Sequence, residues 1–393
     1  ADPAMIAAAV SLLWALVVAT LIGRALRQYQ AYEVVQPAPL PGAAPMIDII
    51  VPARNEADAI GNCLAGLAAQ DYPASRVSIT LVDDGSTDGT AAIARGMGGI
   101  AVPLAVIEAG PLPAGWMGKA HACWRGAGEG RGEWLCFIDA DTIPAPALLR
   151  SAITAAQQRS LDFLSLEPHQ VLVTVWERLI IPAGLCALGF AGDLSRVGDP
   201  DDPSAAANGQ FLLIRRAAYE RAGGHRAVRG TVSEDSALAA RVKATGGRIA
   251  LMGAAPLIGV RMYRSLPQLW EGLRRSVIDT FGGVGRTAVI ALGGLVIAWS
   301  ALAIPAALAV RFAATPAPLD AAALAVALAA SLALFGVHIA AARYFAIPPG
   351  YGLLFPVAYS LAAVLALAGI RARRQGRVAW KGRSYRSAAD SGG

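Results

Sequence analysis

The sequence predicts an α/β domain on a largely parallel sheet, held between N-terminal and C-terminal transmembrane helices. Three observations predict it. The 393 residues are 55% hydrophobic and 16% charged, against about 25% charged in a typical soluble domain, with mean hydropathy +0.48. The apolar excess is gathered into blocks: residues 287–370 hold only Arg311, Asp320 and Arg343 as charged side chains. Between the blocks, apolar β-branched runs alternate with helix-period segments. The composition excludes a disordered chain, a collagen-like fibre and a disulfide-dense secreted domain, and argues against an ordinary cytosolic enzyme.

Ala1–Ala4 read as a cloning remnant ahead of a start at Met5. Met5–Gly23 carries no charge and stops at Arg24 and Arg27. With no basic leader it reads as a signal anchor, residues 5–24, rather than a cleavable signal peptide. Thr287–Val310, Ala321–Ala342 and Ile347–Ile370 each hold about 20 residues or more, enough to cross roughly 30 Å of hydrocarbon. Arg24 and Arg27 put the central domain in the cytoplasm. The 371–393 tail, with seven Lys/Arg and no acid from Arg371 to Arg386, belongs there too. Three full crossings would place it outside. The 287–370 block is therefore expected to cross two or three times, with Ile347–Ile370, interrupted by Pro348, Pro349, Gly350 and Pro356, as the re-entrant candidate. Beside a membrane the basic tail suits anionic lipid rather than nucleic acid. The expected setting is the inner membrane of a bacterial-type cell. Cys63, Cys123, Cys136 and Cys186 have neither zinc-site nor disulfide spacing.

Residues 45–286 are long enough for one α/β domain. Met46–Val51, Val77–Val82, Ala101–Ile107, Trp134–Ile138 and Phe163–Leu166 read as strands. Ala57–Gln70, a segment reaching about Arg95, and Pro146–Gln158 read as helices. Right-handed crossovers then give a mostly parallel sheet, with ligands beyond the carboxyl ends of its strands. Acidic clusters fall at those ends. Asp83-Asp84 can accept from a ribose hydroxyl or a base imide, or simply build a turn and cap. Asp139-Ala140-Asp141 places two carboxylates on one side of an extended segment, a donor set for Mg²⁺ or Mn²⁺. Ser233-Glu234-Asp235 reads as an N-cap followed by a first helical turn. Arg261 and Arg264 can grip phosphate oxygens or mark a membrane surface. Lys119 is a further phosphate candidate, and His121 reads as structural. Val175–Phe190 is either an interfacial segment or a core helix, and Gly192–Ala206 a loop that closes over substrate.

In this order the pieces resemble a membrane-bound family 2 glycosyltransferase of the GT-A, Rossmann-like fold, over roughly residues 46–286 and more loosely the flanking helices and Trp380–Tyr385. The resemblance implies inverting transfer of a sugar from a nucleotide-sugar, with uridine as the base. It places Pro52, Arg54 and Glu56 at the base pocket, Asp83 and Asp84 at the nucleoside, and Asp139 and Asp141 at the metal and diphosphate. Asp235, beside Glu234, becomes the general base, and Arg264 with Arg261 the stabiliser of the leaving group. Position 265 is Ser where the family motif has Trp, so either Trp270 substitutes for it or the acceptor is not a glycan chain. Gln210 borders the acceptor site. The short chain favours one transfer to a membrane lipid, as in enzymes that glycosylate hopanoids, carotenoids or ceramides. A processive polysaccharide synthase and a non-catalytic nucleotide-binding scaffold are the competing readings.

Overall fold

The computed structural model describes residues 2–97, 101–375, 378–380 and 383–385. In chain order the elements begin with α1 (Pro3–Ala31), β1 (Ile47–Ala53), α2 (Ile60–Ala68), β2 (Val77–Asp83), α3 (Thr90–Arg95) and β3 (Leu104–Glu108). Next come α4 (Gly118–Ala127), β4 (Trp134–Ile138), β5 (Thr142–Pro144), α5 (Leu148–Gln158), β6 (Phe163–Glu167) and β7 (His169–Gln170). Then follow α6 (Val175–Ala191), β8 (Phe211–Arg215), α7 (Arg216–Arg221), α8 (Glu234–Ala244), β9 (Ile249–Gly253), β10 (Ile258–Val260) and α9 (Leu266–Thr280). The chain closes with α10 (Val284–Ala314), α11 (Pro318–Tyr344), α12 (Phe355–Arg374) and the pair β11 (Val378–Trp380) and β12 (Arg383–Tyr385). Arg377, Lys381 and Arg386 of the expected basic tail lie outside the described residues.

The main sheet has seven strands in the order β3-β2-β1-β4-β8-β6-β9. β1 pairs in parallel with β2 and β4, and β2 with β3. Helices cover both faces, so β4 is buried at every position and reads as an unbroken apolar run. β8 lies antiparallel between β4 and β6. The sequence reading assigned no strand here, because nothing local says that this apolar run returns to the middle of the sheet. Its entry places Gln210 beside Asp139, whose N–H donates to the Gln210 carbonyl at 3.2 Å.

At the opposite end of the sheet Asp48 is 4% exposed. It accepts from Arg216 at 2.7 Å, from the Gly132 N–H at 2.6 Å and from Ser78 Oγ at 2.7 Å. A buried carboxylate needs such a set to offset its lost hydration.

Four helical segments are long and apolar enough to cross a membrane: Pro3–Ala31, Val284–Ala314, Pro318–Tyr344 and Pro349–Arg374. The first runs beyond the expected end at residue 24. Arg24 donates to the carbonyls of Phe190 at 2.8 Å and Gly192 at 3.1 Å, a cation at the negative end of α6. α6 packs into the apolar cluster of the membrane helices rather than the α/β core. α10 leaves the domain side and α11 returns to it. At the far turn Arg311 pairs with the buried Asp320 at 2.7 Å.

The third C-terminal segment has a different course. Pro348 and Pro349 precede or open a 3₁₀ turn, and Pro356 sits in the first turn of α12. They begin the helix and do not interrupt it, which corrects the expected broken run. Phe355 stacks on His338 at 4.1 Å, six residues before the end of α11. Trp299, halfway along α10, donates to Ser360 at 3.0 Å. Arg373 at the far end of α12 pairs with Asp279 of α9 at 3.1 Å. Both ends of this segment therefore lie toward the α/β domain.

Asp48→Ala is expected to cost about 3 kcal/mol or more by stranding Arg216. Thermal unfolding in detergent checks this: the midpoint should fall by roughly 6 °C or more.

Candidate active site

A cleft of about 380 Å³ opens beyond the carboxyl ends of β1, β2 and β4. Pro52, Arg54 and Glu56 line it from the loop after β1, and Asp84 from the loop after β2. Asn55, between the first two of these turns, holds a left-handed φ of 54°. Its Oδ1 accepts from the Thr87 N–H at 2.9 Å and its N–H donates to Ser86 Oγ at 3.0 Å. The Arg54 guanidinium donates to the carbonyls of Asp84 and Gly85. The two loops thus form one rigid wall.

Asp83 is a correction. It does not line the cleft. Its carboxylate accepts from the Ser86 N–H at 3.1 Å and from Ser86 Oγ, so it builds the turn. Successive residues at a strand end face opposite ways, and only Asp84 faces the ligand side.

Asp139 and Asp141 line the opposite wall with Gln210, Glu234 and Asp235. Lys119, from α4, joins them. Its ammonium lies 2.8 Å from Asp139 and 3.4 Å from Glu234, and 3.4 Å from the Gly209 carbonyl. Burial alone would lower its pKa, but the carboxylates of Asp139 and Glu234 hold it well above the ordinary value. In this structure Lys119 pairs with carboxylates while lining the same cleft.

Asp235 Oδ2 accepts from the Gly209 N–H at 2.8 Å and Oδ1 from the Ser236 N–H at 2.7 Å. A Cβ on Gly209 would lie 2.9 Å from the Lys119 ammonium and 3.1 Å from Asp235, so a side chain there would push the Lys119 ammonium from its place. Burial raises the Asp235 pKa against the opposing pull of Lys119 and those two N–H groups. Burial likewise pushes Glu234 up to about 7, against Lys119 and with help from Asp235. Ser233 precedes α8 as expected, yet its side chain makes no cap bond.

The two arginines expected at a diphosphate are elsewhere. Arg261 pairs with the buried Glu177 at 3.2 Å, and Glu177 in turn closes a capping box with Thr174 at the start of α6. Arg264 is exposed and donates to the Asp58 carbonyl at 3.1 Å. Ser265 is the N-cap of α9, accepting from the Gln268 N–H at 3.4 Å, which explains a small polar residue where Trp was expected. Trp270 packs with the membrane helices. From α9 the cation that reaches the cleft is Arg275, with Tyr263 and Met262 from the segment before the helix. Tyr263 is pushed up to about 12 by burial, with Arg275 lowering it and Asp141 raising it. Sequence reasoning missed this group. Its signal was the polar stripe that Arg275 forms with Ser276 and Thr280 on one face of α9.

The donor set fits a hard divalent cation. Asp139 and Asp141 supply carboxylate oxygens, and Gln210 Oε1 is buried in the same cleft without a hydrogen bond. Among the described residues no group of three or more His, Cys, Asp or Glu could hold a metal. One or two carboxylates plus substrate phosphates is the usual protein share for Mg²⁺. With Asp139 tied to Lys119, Asp141 is the principal ligand on offer.

Residues 48–178 match the family described as Glycosyl transferase family 2. The chain carries a family 2 glycosyltransferase domain. Its similar curated relatives include 4,4'-diaponeurosporenoate glycosyltransferase of Staphylococcus aureus strain MRSA252, 28% identical over 60% of this chain and 62% of the relative. The same protein of strain NCTC 8325 matches at the same identity and coverage. The chain thus spans about 62% of the length of these relatives. Among solved structures, the mannosyltransferase PcManGT from Pyrobaculum calidifontis, in complex with GDP-Man and Mn²⁺, aligns at 21% identity and TM-score 0.52. That alignment covers 92% of this chain and 98% of the other, and the likeness is one of fold. The glycosyltransferase domain has the GT-A architecture.

Glu234 gives the domain a pH signature. A carboxyl whose folded pKa is raised keeps its proton longer in the folded state. Its contribution to stability is full below about 4.5 and is lost as pH rises through about 7. Melting temperatures measured across this window should fall with rising pH in the wild type, and Glu234→Gln should flatten the fall.

Proposed function

We propose that this chain transfers one sugar from a nucleotide-sugar, a UDP-sugar by the family resemblance, to a hydroxyl of a membrane lipid, with inversion at the anomeric carbon. The observation that carries the reading is the Asp235 carboxylate. It is fixed by two backbone N–H groups in a cleft that also holds Asp141 and Arg275 and adjoins the membrane helices. The relatives named for a lipid-like acceptor and the neighbour complexed with GDP-Man and Mn²⁺ support the same class.

In this reading Pro52, Arg54, Glu56 and Asp84 bind the nucleoside. Asp141, with Asp139, holds Mg²⁺ or Mn²⁺. The bound metal would offset charge developing on the leaving diphosphate, and Arg275 adds a fixed cation beside it. Asp235 takes the proton of the acceptor hydroxyl as its oxygen attacks the anomeric carbon. The bond from that carbon to the diphosphate oxygen breaks, and the glycoside and nucleoside diphosphate leave. Burial makes Asp235 a stronger base than an exposed aspartate. Lys119 keeps Asp139 and Glu234 from repelling the incoming phosphates.

For the membrane, α1 acts as anchor, α10 and α11 cross, and the segment ending in α12 is re-entrant. The catalytic domain and the basic tail then share the cytoplasmic face, which removes the charge conflict left by three crossings. The basic tail adds a contact to anionic lipid.

Asp235→Asn should cut lipid glycosylation by about 10²–10⁴-fold while nucleotide binding by calorimetry stays near wild type. EDTA should abolish transfer, with Mg²⁺ or Mn²⁺ restoring it. Full activity of either preparation rejects the corresponding assignment. Protease added to right-side-out vesicles should spare the 371–393 tail, and cleavage there would remove the re-entrant topology.

A further inference from the structure

The polar cleft continues into the membrane helices. Met262, Ser276 and Thr280 line it and also line a second cavity of about 140 Å³ bounded by α6, α9, α10 and α12. Beyond those shared residues this cavity is walled by aliphatic side chains, with Tyr359 and Phe281 at its edge. Its space comes from small residues on three helices: Gly184 of α6, Ala291 of α10, and Ala362, Ala363 and Ala366 of α12. A Cβ added at Gly184 would meet nothing within 4 Å, so this position faces open room.

We propose that this cavity receives the hydrocarbon chain of the acceptor lipid, and that it selects an unbranched chain over a fused-ring skeleton. The proposal rests on the transferase reading for what happens at the lipid's polar end. Three features carry it. The wall offers a lipid tail an environment like the bilayer it leaves. The shared residues Met262, Ser276 and Thr280 form a junction at which an apolar tail gives way to a polar head beside the Asp235 cleft. The cavity is narrow: pockets for drug-sized molecules run to about 300–1,000 Å³, so only the part of a slender chain next to its hydroxyl fits, and a rigid polycycle would have to force α6 from α12. The close contact of Gly369 with α9, where an added Cβ would lie 2.7 Å from the Arg274 carbonyl, resists that separation.

The test uses the full chain in phosphatidylcholine–phosphatidylglycerol nanodiscs with hexadecanol bearing a diazirine close to its hydroxyl end. Irradiation should label peptides of α6 and α12 around Gly184 and Ala363, and excess unlabelled hexadecanol should compete. Gly184→Leu has room for its Cβ and occupies the cavity, so a variant that melts near the wild type should lose roughly tenfold of the labelling, the scale on which an apolar pocket senses a few methylenes. A sterol diazirine should label these peptides only at background. Undiminished labelling of a folded Gly184→Leu, no competition by hexadecanol, or equal labelling by the sterol overturns the proposal. Competed labelling in a protein that transfers no sugar supports the cavity assignment and counts against the transferase reading alone.

Discussion

The site depends on one half-buried ammonium. Lys119 stands between Asp139 at the end of β4 and Glu234 at the start of α8, and reaches the Gly209 carbonyl ahead of β8. Three segments far apart in sequence thereby share one charge. Without it, Asp139, Glu234 and Asp235 would be three neighbouring carboxyls in a partly dry cleft. Repulsion and desolvation would then protonate some of them. With it, the cluster keeps anionic character beside Asp141 while Asp235 remains basic. A side chain at residue 209 would crowd the Lys119 ammonium and the Asp235 carboxylate.

A second set of charges fastens the α/β domain to the helices. Arg24 holds the carboxyl end of α6, Arg261 holds Glu177 at its amino end, and Arg373 holds Asp279 of α9. Each arginine joins a different pair of segments, so α6 and α9 are pinned where domain and membrane block meet. These pairs explain why an arginine-rich stretch before α9 does not serve the cleft. The Arg261 guanidinium is used to compensate a carboxylate that is 2% exposed at its side chain, a commitment that local sequence does not reveal.

Much of the fold and site was legible because strand-end chemistry is local. An apolar run followed by Asp-Ala-Asp, or by Asp-Asp-Gly, states both the strand and the placement of its acids. Hence Asp84, Asp139, Asp141, Glu234 and Asp235 all line one cleft. The turn bonds of Asp83 were not legible, because the choice between turn and ligand depends on which of two adjacent residues faces outward. β8 was missed because its antiparallel insertion is a long-range pairing. Arg275 was missed for the same kind of reason: its position is set by how α9 crosses the cleft, and a motif read along the chain stops at Arg264.

α9 is the element on which the polar cleft and the aliphatic cavity converge, and two glycines define its seat. Tyr263 lies over Gly272, where an added Cβ would come within 2.4 Å of the ring, and Gly369 lets α12 approach the Arg274 carbonyl. The first contact presents Tyr263 and Arg275 to the polar cleft. The second brings α12 against the opposite flank and closes the aliphatic cavity. Ser276 and Thr280 lie on the shared wall between them. One amphipathic helix therefore sets the distance from a fixed cation to an apolar chamber. A substitution that thickens either glycine contact would move both together, because a close-packed helix shifts as a body.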